Sequence, residues 1–120
     1  MKIVLVFQIA VAILFFVSGV CKSILSKSSL VALGQTGVQN LFLWQIRIIG
    51  ICEILGSFAF LLPFFSQFPV ELTQMSALGF AIIMIFAAII HYRLGEFKVV
   101  CLNLLLLFLN IAIIFLNNPV

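Results

Sequence analysis

The chain has 120 residues, 66% of them apolar and 8% charged, with a mean hydropathy of +1.44. A soluble domain of ordinary composition carries about 25% charged residues, so six bases and three acids cannot cover a water-facing surface; the composition predicts a single-domain integral membrane protein over residues 1–120. The net charge of +3 comes from Lys2, Lys22, Lys27, Arg47, Arg93 and Lys98 less Glu53, Glu71 and Glu96. These bases form no patch or stripe, which sets nucleic-acid binding aside.

A helix that crosses a bilayer needs ~20 mostly apolar residues, and four stretches qualify. The first runs over about residues 3–21, interrupted only by Gln8 and Ser18. Its apolar run exceeds the ~7–15 residues of a signal-peptide core, and Val20 stands where a lipoprotein signal wants a small residue before Cys21. We therefore expect a retained helix. Residues 22–40 follow as the longest connector, rich in Ser, Gly and Gln, with room for a short interfacial helix. The second span covers about 41–65 and contains Arg47 and Glu53. A tight turn around Pro69 leads to the third span, about 74–92. A second turn around Gly95 leads to the fourth, about 99–116, closed by Asn117, Asn118 and Pro119. Short turns of this kind set consecutive helices side by side and antiparallel. The expected fold is an all-α, four-helix transmembrane bundle.

Orientation follows from the bases. Only Lys2 lies on the side of the amino terminus, whereas Lys22, Lys27, Arg47, Arg93 and Lys98 lie at the other end of the spans. The excess predicts a cell-membrane protein with basic loops in the cytoplasm and both termini outside.

Residues spaced by three or four share a helical face. Each span gathers its small and polar residues on one such face: Gln8, Ala12, Phe15, Gly19 and Lys22; Gly50, Glu53 and Ser57, with Arg47 one step round; Ala77, Ala81, Met84, Ala88 and His91; Asn103, Leu107, Asn110, Ile114 and Asn117. Lipid does not push helices together, so membrane bundles rely on close approach at small residues and on a few interior hydrogen bonds. That accounts for the stripes as packing surfaces. Glu53 asks for more, because a charge about two turns inside a span costs ~2.5–3.5 kcal/mol on insertion scales. Arg47 is about a third of a turn away around the helix and is expected to snorkel to headgroups. Lys22 and His91 end their helices at the same level. The spacing thus predicts an interior cluster of Lys22, Arg47, Glu53 and His91, with Asn103. Two readings of it stay open: a charge network fixing helix register, or a small polar pocket for a head group, a proton or a quinone-like ring.

Three cysteines, Cys21, Cys52 and Cys101, show neither a CxxC nor a metal-ligand spacing, and read as small apolar residues. No haem-ligand pair, flavin or nucleotide motif, metal constellation or catalytic residue is visible. The chain is expected to carry no cofactor of its own, a quinone being the one open possibility, and any redox role would borrow its cofactor from a partner.

The runs RIIGICEILGSFAFLLP and LTQMSALGFAIIMIFAAIIHYRLGE resemble the DoxX-like family of small membrane proteins. The features that carry the likeness are Gly19 and Lys22 closing the first span, the series Arg47, Gly50, Glu53 and Gly56 in the second, and Ala87, His91, Arg93, Gly95 and Glu96 ending the third. The resemblance implies four membrane helices; Gly19, Gly50, Gly56 and Ala87, as small residues, are expected at helix contacts. It implies no single activity: relatives are linked to thiosulfate–quinone oxidoreduction, to membrane oxidative-stress complexes and to membrane-protein assembly. Two expectations follow, a non-enzymatic accessory or scaffold serving a membrane or redox complex, or a quinone- or sulfur-compound-binding subunit of an oxidoreductase. The absence of cofactor motifs favours the first. The sequence does not set the oligomeric state.

Overall fold

The computed structural model describes residues 2–116, with five α-helices and one 3-10 turn as its regular elements. Asn117, placed by spacing on the fourth polar face, lies outside the described residues, as do Asn118 and Pro119. Helix α1 is Lys2–Ile24, α2 is Lys27–Ala32, a 3-10 turn spans Thr36–Val38, α3 is Leu43–Phe65, α4 is Glu71–Arg93 and α5 is Phe97–Leu116. Four of these, all but α2, are long and apolar enough to cross a membrane. The molecule measures 44 Å along its longest axis, close to the ~40–45 Å of a bilayer with its headgroups. This is a small multi-pass membrane protein built as a helical bundle.

Local chemistry sets the helix ends. Ser26 is extended at the start of α2, and its hydroxyl accepts from the Ser29 amide at 3.2 Å, satisfying one otherwise orphaned donor. The Gln45 side chain reaches back to the Phe42 amide at 2.9 Å and fixes the start of α3. Only residues 94–96 join α4 to α5, and Gly95, at φ +76°, makes that reversal possible.

Helix α1 packs along α3, α3 against α4, and α4 against α5, while α5 touches α1 only lightly. The α1–α3 seam is the closest. A Cβ added to Gly19 would lie 2.6 Å from the Gly50 carbonyl oxygen, and one added to Gly50 would lie 2.8 Å from that of Gly19. No other residue permits this mutual approach. Gly56 serves α4 in the same way, since a Cβ there would meet the Phe80 ring at 2.9 Å. Into that space Phe80 stacks on Phe15, centroids 3.9 Å apart and 6° from parallel, with Phe60 tilted against it at 5.5 Å. These rings and Val11, Ala12, Ala77, Met84 and Ile113 form the core, with Ala87 partly buried beside it. With lipid outside, this packing contributes by dispersion and shape rather than by expulsion of water.

Helix α2 and the 3-10 turn fold over one end of the bundle. Leu30, Val38 and Ile46 form a second apolar cluster there, joined by Cys21, Leu25, Val31 and Leu41.

Candidate functional site

The expected polar cluster resolves into two groups. In the first, Lys22 at the end of α1 reaches Glu53 near the middle of α3. Its ammonium lies 2.6 Å from Glu53 Oε1 and also donates to the Ser18 hydroxyl at 2.9 Å. Glu53 is 1% exposed, so the pair is the answer to its buried charge. The Gly19–Gly50 contact makes this geometry possible, because it brings the α1 and α3 backbones together one turn away. Ser57 adds a hydrogen bond within α3, donating to the Glu53 carbonyl at 2.7 Å.

Arg47 does not turn out to the headgroups as its position suggested. Its Nη1 donates to the carbonyls of Lys22 at 2.7 Å and Leu25 at 2.6 Å. Those carbonyls close α1, where the last turn lacks amide partners and the helix dipole favours a cation. Arg47 is therefore a cap on α1 supplied from α3. Arg47→Ala should leave two partly buried carbonyls unpaired, at about 1–3 kcal/mol for a group that stays out of water. A lysine at 47 should restore only part of that loss. Melting temperatures in detergent would measure both.

In the second group His91 leaves the expected cluster. At the end of α4, 8% exposed, its Nδ1 lies 2.7 Å from Glu96 Oε1. Thr36 donates its hydroxyl to the same carboxylate, 2.7 and 2.9 Å from its two oxygens. The 3-10 turn is thus tied to the α4–α5 connection, and Gly37 lies against the far side of the His91 ring, where a Cβ would meet Nε2 at 3.2 Å. Sequence spacing singled out Glu96 only within the family pattern and gave no sign of Thr36, which lies 60 residues away.

The hydrogen bond from Thr36, and then the contact with His91, hold the Glu96 carboxyl below its ordinary value of 4.5. Because the folded value lies below the unfolded one, these contacts stabilise the fold above about pH 4.5 and are lost as pH falls through the folded value. The melting-temperature difference between the parent and Glu96→Gln should therefore be fully open near neutrality and close in acid. A difference that widens on acidification would contradict the latch.

Asn103 stands apart from both groups. It is 6% exposed on α5, and its Nδ2 has no partner among the described residues. Asn110, two turns on, donates Nδ2 to the Leu106 carbonyl at 2.8 Å, and its Oδ1 has no partner among the described residues.

Toward the other end, Phe60 carries a junction that spacing did not reveal. Pro63 inside α3 has no amide to give to the Ala59 carbonyl one turn before it. The neighbouring Phe60 carbonyl accepts from Thr73 Oγ1 at 2.9 Å and Gln8 Nε2 at 3.4 Å, joining α1, α3 and α4. Gln74 donates to the Ile114 carbonyl at 3.1 Å and ties α4 to α5.

Among the described residues no group of His, Cys, Asp and Glu is arranged to hold a metal ion. Cys52 and Cys101 are exposed and Cys21 half-buried, all three unpaired thiols. A groove of about 280 Å³ runs between α1 and α3, lined by Ala12, Ile13, Phe16, Ser57, Phe58 and Leu61. Its one hydroxyl is the Ser57 group already committed to the Glu53 carbonyl. A quinone ring needs donors for its carbonyls. This groove has none to offer, and the residues do not fit one.

No curated protein and no solved structure matches the chain. The model of the DoxX-like family matches residues 6–113, a stretch that includes Lys22, Arg47, Glu53, His91 and the glycines of the α1–α3 seam. The chain belongs to the DoxX-like family.

Proposed function

We propose that this protein is a non-enzymatic accessory or scaffold of the cytoplasmic membrane, with its basic end on the cytoplasmic side. The observation that carries the reading is the use of the intramembrane charges. Lys22 answers Glu53, and Arg47 answers the carboxyl end of α1. Each is engaged in holding helices together, which leaves neither charge poised for a reaction. A rigid bundle with a lipid-facing apolar surface is suited to holding or assembling a neighbouring membrane protein. The excess of bases at the α2 and α4–α5 end supports the orientation.

The test is isolation from native membranes in a lipid-retaining polymer, followed by cross-linking and mass spectrometry. The scaffold reading expects a membrane protein recovered at fixed ratio and no quinone. Recovery of one quinone per chain, reduced on adding thiosulfate, would replace it with the oxidoreductase-subunit reading.

A further inference from the structure

The connection between α4 and α5 carries positive charge that the bundle does not use. Arg93 ends α4, Lys98 lies in the first turn of α5, and both are exposed. No acid among the described residues pairs with either. The acid between them, Glu96, would cancel one of these charges if it paired with it. Instead Gly95 turns the chain, and the Glu96 carboxylate is engaged by Thr36 and His91. Beside the two bases stand Tyr92 and Phe97, 65% and 62% exposed, edge to face with centroids 5.8 Å apart. Aromatic rings and cations at the end of a span are the side chains that sit at headgroup depth.

We propose that this turn is a binding site for the headgroup phosphate of an anionic phospholipid. Arg93 presents a planar donor fork to two phosphate oxygens, and Lys98 adds a mobile ammonium to the same group. The Tyr92–Phe97 pair packs below, at the boundary of the acyl chains. The site favours an anionic lipid over a zwitterionic one, whose own ammonium would meet two cations. The adjoining exposed rings favour a lipid over a phosphate free in water, because only the lipid brings apolar chains to cover them. The hold of Thr36 and His91 on Glu96 thus keeps its carboxylate from pairing with either base.

The experiment is native mass spectrometry of the detergent-solubilised protein titrated with phosphatidylglycerol and phosphatidylcholine in parallel. A base near a membrane surface changes affinity for anionic lipid about 5-fold, so Arg93→Gln with Lys98→Gln should weaken phosphatidylglycerol binding ~30-fold at low salt. Phosphatidylcholine binding and the melting temperature should stay as in the parent. Tyr92→Ala with Phe97→Ala should weaken both lipids alike. Added salt should erode the preference of the parent. A double glutamine variant that keeps its preference for phosphatidylglycerol would overturn the proposal. So would glycerol 3-phosphate binding to the parent as tightly as the lipid, because the bases would then serve a soluble anion.

Discussion

Glu53→Ala is expected to produce the largest loss of thermal stability of any single substitution in this chain. It removes the counter-ion of Lys22, whose ammonium is left partly buried with the Ser18 hydroxyl as its one remaining partner among the described residues. Breaking a buried ion pair on one side costs ~3–5 kcal/mol in soluble proteins, because the surviving charge keeps its desolvation penalty. Interior hydrogen bonds in membrane bundles average only ~0.6 kcal/mol, since the unfolded chain in the membrane also finds partners. The charge puts this case well above that average, because lipid supplies no substitute for a carboxylate. Glu53→Gln, which keeps the shape and one acceptor, should lose clearly less. Melting temperatures in detergent rank the two variants, and equal losses would mean that shape rather than charge is at stake.

Gly19→Ala is expected to follow closely. Its new methyl group would stand 2.6 Å from the Gly50 oxygen, 2.8 Å from Ile54 Cγ1 and 3.0 Å from the Ile54 amide nitrogen. Two of these are backbone atoms that cannot step aside, so α1 must move off α3. Overpacking of a tight interior costs about 1–3 kcal/mol, and here the displacement also stretches the Lys22–Glu53 contact one turn away. Gly79 supplies the control, because a Cβ there meets nothing within 4 Å. Alanine is the better helix former by about 0.5–1 kcal/mol, so Gly79→Ala should leave stability unchanged or slightly raised. If both alanine variants melt alike, the close α1–α3 approach is not a source of stability.

The four spans were legible in the sequence because length and apolarity alone decide them. The inward faces were legible as well: Gln8, Ala12, Phe15, Gly50, Glu53, Ser57, Ala77, Met84, His91, Asn103 and Asn110 are all buried. Helical period and the cost of polarity in lipid act on each helix by itself, so one helix at a time suffices to read them. Partners between helices are another matter. Helix spacing left both Lys22 and His91 available to Glu53, and only the approach of α1 to α3 at Gly19 and Gly50 selects Lys22. Arg47 was misjudged for the same reason. Its own helix offered it no partner, and the carbonyls it caps lie at the end of α1 and just beyond it. The Thr36–Glu96 latch was hidden because a connector rich in small polar residues gives no periodic signal. The Phe60 junction was hidden because its acceptor is a backbone carbonyl, which leaves no mark in the side-chain pattern.

Lys22 and Glu53 form the charge pair that joins α1 to α3, and a double-mutant cycle in lipid nanodiscs measures how strongly they are coupled. Lys22→Met and Glu53→Met each remove one charge, and the double variant removes both while keeping chains of comparable length. Each single variant is expected to be strongly destabilised and the double variant to recover most of the loss, because well-packed apolar side chains can replace a buried pair once both charges are gone. Losses that simply add in the double variant would show that the two residues act independently, and the pair could not be what locks α1 to α3.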